Sequence, residues 1–202
     1  MQLSFENLRE VLGANLGSVL TPELAATIEH MAFDRADRAV DPGRFTPAEY
    51  HGLAFAVESF REILPELELL HAAHFTETES HLPDDAMAPD YGYMAERERT
   101  GSLIQFTARN KGGDLVGNLR IYLGQSVHTG RLFAEEDTFY LSPAVRRGFA
   151  AMKFLEYAEQ ELFKTLGVIE LRATTKLVNK AGELLVFRGY HHISNQYIKV
   201  AP

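Results

Sequence analysis

The sequence predicts an α/β (α+β) fold, a mixed sheet with helices on both faces, and three observations predict it. From residue 51 the apolar period switches in the order β-α-α-β-β-β-α-β-α-β. A tight turn, Lys111-Gly112-Gly113-Asp114, joins two apolar runs as a hairpin. A long run from about Gly148 to Leu166 keeps Ala151, Met152, Leu155, Ala158, Leu162 and Phe163 on one helical face.

Residues 3–33 read as two helices. Leu3, Leu8, Val11 and Leu12 form a short amphipathic stretch ended by Gly13 and Gly17. Thr21-Pro22-Glu23 is a helix start, with Thr as N-cap, Pro at the first position and an acid in the first turn. Residues 34–46 are polar, contain Pro42-Gly43, and read as a linker. The expected division is a helical extension over 1–50 and an α/β domain over 51–202. Within the latter, strands are expected at 53–60, 103–109, 115–123, 137–142, 168–174 and 193–200. Helices are expected at 64–77, 90–99, 148–166 and 179–188.

The chain has 202 residues, of which 46% are hydrophobic and 24% charged, an ordinary globular composition. No apolar run approaches the ~18 residues a membrane helix needs. The first residues lack a basic region followed by an apolar stretch, so a cytoplasmic protein is expected. The absence of cysteine rules out disulfides, thiolate catalysis and cysteine-ligated metal. A net charge of -8 argues against nonspecific nucleic-acid binding, which needs a basic footprint. An anionic ligand remains compatible, because it needs only a local cluster of cations and backbone N–H groups.

Such a cluster lies in Asp137-Thr-Phe-Tyr-Leu-Ser-Pro-Ala-Val-Arg-Arg-Gly-Phe-Ala-Ala151. A strand runs into a turn with two arginines and small residues, and the turn opens the long helix. The first turn of a helix has free N–H groups and the positive end of its dipole. Arg146 and Arg147 add charge beside it.

This segment resembles the CoA-binding motif of the GNAT (Gcn5-related N-acetyltransferase) superfamily, in which a hydrophobic strand end leads to R-x-x-G-x-G/A at a helix start. Leu141-Ser142-Pro143-Ala144-Val145 matches the approach, and Arg146, Arg147, Gly148, Phe149, Ala150 and Ala151 take the six motif positions. Phe149 stands where Gly is usual, and the glycine falls one position earlier. Asn179 to Tyr190, closing Phe187-Arg188-Gly189-Tyr190, resembles the second motif. The likeness covers roughly 52–200. Residues 89–117 resemble phage and prophage members.

The resemblance implies a splayed sheet with the pantetheine arm between the strands at 137–142 and 168–174. Backbone groups near Phe139, Tyr140 and Leu141 would pair with that arm, and Asn179 would help hold CoA. The implied function is direct, acetyl-CoA-dependent N-acetylation of an amine on a small molecule or protein, without metal, nucleic acid or membrane. A phage-related binding or assembly protein with weak or no catalysis is the alternative. The N-terminal helices would cover the acceptor cleft or form a homodimer contact.

Many members carry an acid four residues before the strand end. Asp137 holds that place and is the expected base, with a solvated strand entry as the alternative. Glu136 and Glu135 sit beside it. Side chains alternate along a strand, so Asp137 and Glu136 point to opposite faces. The family's usual acid, a Tyr four residues before the closing Gly, falls on Leu185, so Tyr190, Tyr140 or water must substitute. Among the histidines, His71, His74 and His81 lack a recognised metal-ligand spacing. His128 and His191-His192 could line an acceptor pocket, the latter pair reading more readily as a strand entry.

Overall fold

The computed structural model describes residues 2–3, 5–34, 39–78, 87–176 and 181–195. Asn179, His81 and residues 196–200 of the expected last strand lie outside them. The chain forms two compact units, one comprising 1–40 and 90–103, the other 41–89 and 104–202.

The first unit holds α1 (Phe5–Ala14) and α2 (Pro22–Ala32) as a helical hairpin. Its ends are joined by a short antiparallel pair, β1 (Gln2–Leu3) with β2 (Phe33–Asp34). The Thr21 hydroxyl accepts from the Leu24 N–H at 3.2 Å, capping α2. Helix α4 (Tyr91–Arg99) belongs to this unit and is capped by Asp90, whose carboxylate accepts from the Tyr93 N–H at 2.8 Å.

The second unit is built on a six-stranded sheet, β3 (Ala48–Tyr50), β4 (Leu53–Glu58), β5 (Leu103–Arg109), β6 (Leu115–Gln125), β7 (Leu132–Leu141) and β8 (Glu170–Arg172), ordered as numbered. Pairs β3–β4, β4–β5 and β6–β7 are antiparallel, and β7–β8 is parallel. The sheet thus starts at Ala48, upstream of the expected strand at 53. His51 (φ 46) and Gly52 (φ 83) make the two-residue turn into β4, a geometry that needs positive φ at both positions.

Helix α5 (Ala150–Thr165) covers one face of the sheet. Its Phe154 and Tyr157 stack on Phe55 at 5.1 and 6.1 Å between ring centroids, and Tyr157 meets Phe106 edge-on at 5.9 Å. Phe55, Phe106, Phe154, Leu119 and Leu162 are all at most 1% exposed. The other face carries α3 (Leu64–Thr78) and is unusually polar. Arg109 there bridges Glu58 and Glu66, with N–O distances of 2.8 to 3.2 Å. Helix α6 (Ala181–Phe187) ends in a turn at Gly189 (φ 89), where Tyr190 N–H donates to the Leu185 carbonyl at 3.0 Å. Residues 191–195 form no strand, although one was expected from 193.

Candidate active site

Strands β7 and β8 pair only at Phe133↔Glu170, Ala134↔Leu171 and Glu135↔Arg172. Beyond Glu135, β7 continues to Leu141 on its pairing with β6, while residues 173–176 leave the sheet. A cavity of about 460 Å³ opens at this parting, walled by β6, β7, α5, residues 171–176 and α6. Phe139, Glu135, Glu136, Asp137, Glu159, Leu185 and Tyr190 all line it.

A bulge interrupts β7 at the cavity. Arg120 faces Thr138 and Ile121 faces Glu136, so Asp137 is the extra residue. The bulge puts Asp137 and Thr138 on one guanidinium: Arg120 donates to Asp137 at 2.7 Å and to Thr138 at 2.9 Å. Arg120 also lies 3.3 Å from His71 Nε2. An arginine N–H can only donate, so that nitrogen accepts and His71 carries its proton on Nδ1. Burial, together with the Arg120 charge, lowers the His71 pKa to about 4.

Glu136 lines the gap free of that guanidinium. Its carboxylate accepts the Thr174 N–H at 3.3 Å. Burial pushes its pKa up to about 7 against that hydrogen bond, with Asp137's charge adding to the rise. Tyr190 reaches the same cavity from the turn after α6. Burial raises its phenol well above the usual range, and the Glu159 carboxylate raises it further. Glu159, on α5, is 7% exposed and is ion-paired to Arg188 beside Tyr190. Sequence reasoning gave no role to Glu159 or Thr174, which no local motif marks, nor to Arg188, which it quoted only as part of the second motif. It ranked Glu136 below Asp137 because a bulge is not visible in strand alternation.

The strand-to-helix turn meets the cavity's wall. Its N-cap, Phe149, supplies no side-chain acceptor; the Ala150 N–H donates to the Arg147 carbonyl at 3.2 Å, and the Ala151 N–H has no side-chain cap. Gly148 has φ 58, a conformation suited to glycine. Phe149 is 61% exposed and does not turn inward. Ala150 is buried at 3% and anchors the helix start.

The two arginines have different surroundings. Arg146 is held in a fork by Glu77 with two contacts of 2.7 Å, donates to the Leu141 carbonyl, and lies 5.0 Å from the Tyr140 ring centroid. Arg147 is exposed and has no ion pair among the described residues. Tyr140 is buried at 5% against His74 and Arg146 and does not itself line the cavity, which His74 and Phe139 do. Leu141, 3% exposed, closes the end of β7. No group of three or more potential metal ligands occurs among the described residues.

Solved structures share this fold. A ribosomal-protein-alanine N-acetyltransferase from Brucella melitensis aligns over 75% of this chain and 99% of its own, with 18% identity and a TM-score of 0.56. An aminoglycoside acetyltransferase from an uncultured soil metagenomic sample aligns over 74% and 98%, with 17% identity and a TM-score of 0.59. The chain has the GNAT fold. A Trypanosoma brucei acetyltransferase aligns with the GNAT-fold chain over 74% of it and 99% of itself, at 14% identity and a TM-score of 0.54. No family model and no curated protein matches the sequence. No helix among the described residues is long and apolar enough to cross a membrane.

Proposed function

We propose that the protein is an acetyl-CoA-dependent N-acetyltransferase acting on a cationic amine. The observation that carries this reading is the parting of β7 and β8 beside an uncapped helix start, with a proton acceptor in the gap. The free edge of β7 at Phe139–Leu141 suits an extended pantetheine arm. The N–H of Ala151 at the start of α5, with Gly148 and Arg147 beside it, suits a diphosphate. Asn179 is retained as a ligand on sequence grounds. Acetyl-CoA supplies an activated acyl carbon, whose C–S bond breaks as a C–N bond forms.

Glu136 is the proposed base, in preference to Asp137, which Arg120 and Thr138 already occupy. An alkylammonium has a pKa of about 10.4 and an α-ammonium about 8. A carboxylate at about 7 takes either proton far more readily than an ordinary one would. Once protonated, Glu136 can give the proton to a leaving thiolate, whose thiol pKa is about 8.5, downhill. Tyr190 is too weak an acid to do this. Its raised pKa keeps it neutral, so its role is to donate a hydrogen bond to the departing sulfur. Glu135, Glu136 and Asp137 together favour a positively charged acceptor.

The acceptor panel follows from the neighbours: a peptide with N-terminal alanine, and an aminoglycoside. Thiol release from acetyl-CoA should rise with one of them and fall at least about 100-fold in Glu136→Gln. Full activity in that variant removes Glu136 as base. CoA binding without thiol release for any amine favours a binding or assembly role. A phage-type origin rests on the resemblance of residues 89–117 alone.

A further inference from the structure

A second, separate pocket of about 400 Å³ lies where the β3–β4 turn, the β5–β6 turn and the loop into α5 come together. Its chemistry differs from that of the active-site cavity. His51, Lys111 and Arg147 line it, Tyr50 and Asn110 add polar atoms, and no carboxylate is present in its wall. Among the described residues none of the three basic side chains has a carboxylate partner. The acid of the β5–β6 turn, Asp114, is held by Asn110 at 2.8 Å. In a chain of net charge -8, a lysine and an arginine gathered beside a histidine without an acid mark a place for an anion.

The pocket's geometry is built in. Gly52 has no Cβ, and one placed there would come within 2.6 Å of Lys111 Cε, so the lysine stem lies flat across the hairpin. A Cβ on Gly148 would stand 3.7 Å from the Tyr50 hydroxyl, so this pocket adjoins the loop assigned to the diphosphate. Arg147 and Ala150 belong to both places.

We propose that this pocket binds the phosphate monoester on the ribose of CoA. The proposal rests on the reading that CoA's diphosphate lies at the start of α5. A phosphate monoester carries roughly -1.5 to -2 charges at neutral pH and offers three acceptor oxygens. Lys111 and His51 come from turns far in sequence from α5, so they add a contact that the helix start cannot supply.

Calorimetric titration with CoA and with dephospho-CoA, which lacks only that phosphate, tests it. The wild-type protein should bind CoA at least about tenfold more tightly. Lys111→Ala and Lys111→Glu should lower CoA affinity to that of dephospho-CoA and leave dephospho-CoA unchanged, while Lys111→Arg keeps the preference. Equal affinities in the wild-type protein, or a preference that survives Lys111→Glu, overturn the proposal alone. Inorganic phosphate that binds the protein without any CoA preference assigns the pocket to a free anion and also overturns it. Binding of neither CoA nor dephospho-CoA overturns it together with the diphosphate reading.

Discussion

Tyr190 and His71 show how single side chains are tuned by what surrounds them. The Tyr190 phenol is buried beside Glu159, which Arg188 neutralises from the other side. If it serves as a neutral donor to sulfur, Tyr190→Phe should lower kcat roughly tenfold to hundredfold with KM little changed, as checked by steady-state thiol release. For Glu136, kcat/KM should climb with pH through about 7 and then level off, because the base must be unprotonated. His71 has the opposite kind of consequence. Its folded pKa lies near 4, below the ordinary 6.5, so the unfolded chain binds the proton more tightly. Stability is therefore lost as pH falls from 6.5 toward 4, by up to about 3 kcal/mol. Thermal melts of His71→Gln should show a shallower fall over that window than the wild-type protein.

The segment from β7 into α5 is the element on which the site depends, and its sequence disclosed part of it. The turn proposed to hold the diphosphate was legible because it combines a strand end, Pro143, two arginines and small residues in a fixed order. The bulge at Asp137 was not, because it depends on pairing with β6 rather than on any local signal. The same holds for Arg146, whose partner Glu77 lies 69 residues away. The two arginines should therefore separate on mutation. Arg146→Ala removes the brace between α3 and the end of β7 and should lower the melting temperature. Because the pair is partly exposed, the loss should be only about 1 kcal/mol. Arg147→Glu should leave the melt unchanged and weaken CoA binding at least about tenfold in calorimetry.

For the molecule as a whole, the sheet, its helices and most boundaries were readable from period changes, because long amphipathic runs leave few alternatives. The strand β3 and the early start of β7 were missed. β3 is only three residues long, and the first half of β7, Leu132–Glu136, is an apolar triplet followed by two acids and shows no alternation. The cavity was legible only through resemblance, since the parting of β7 and β8 arises from tertiary packing. The decisive measurement is a calorimetric titration of acetyl-CoA into the protein. Saturable one-to-one binding in the micromolar range, weakened by Arg147→Glu, is expected. No heat of binding with ligand in the millimolar range would contradict the assignment of the β7–α5 turn as the nucleotide site.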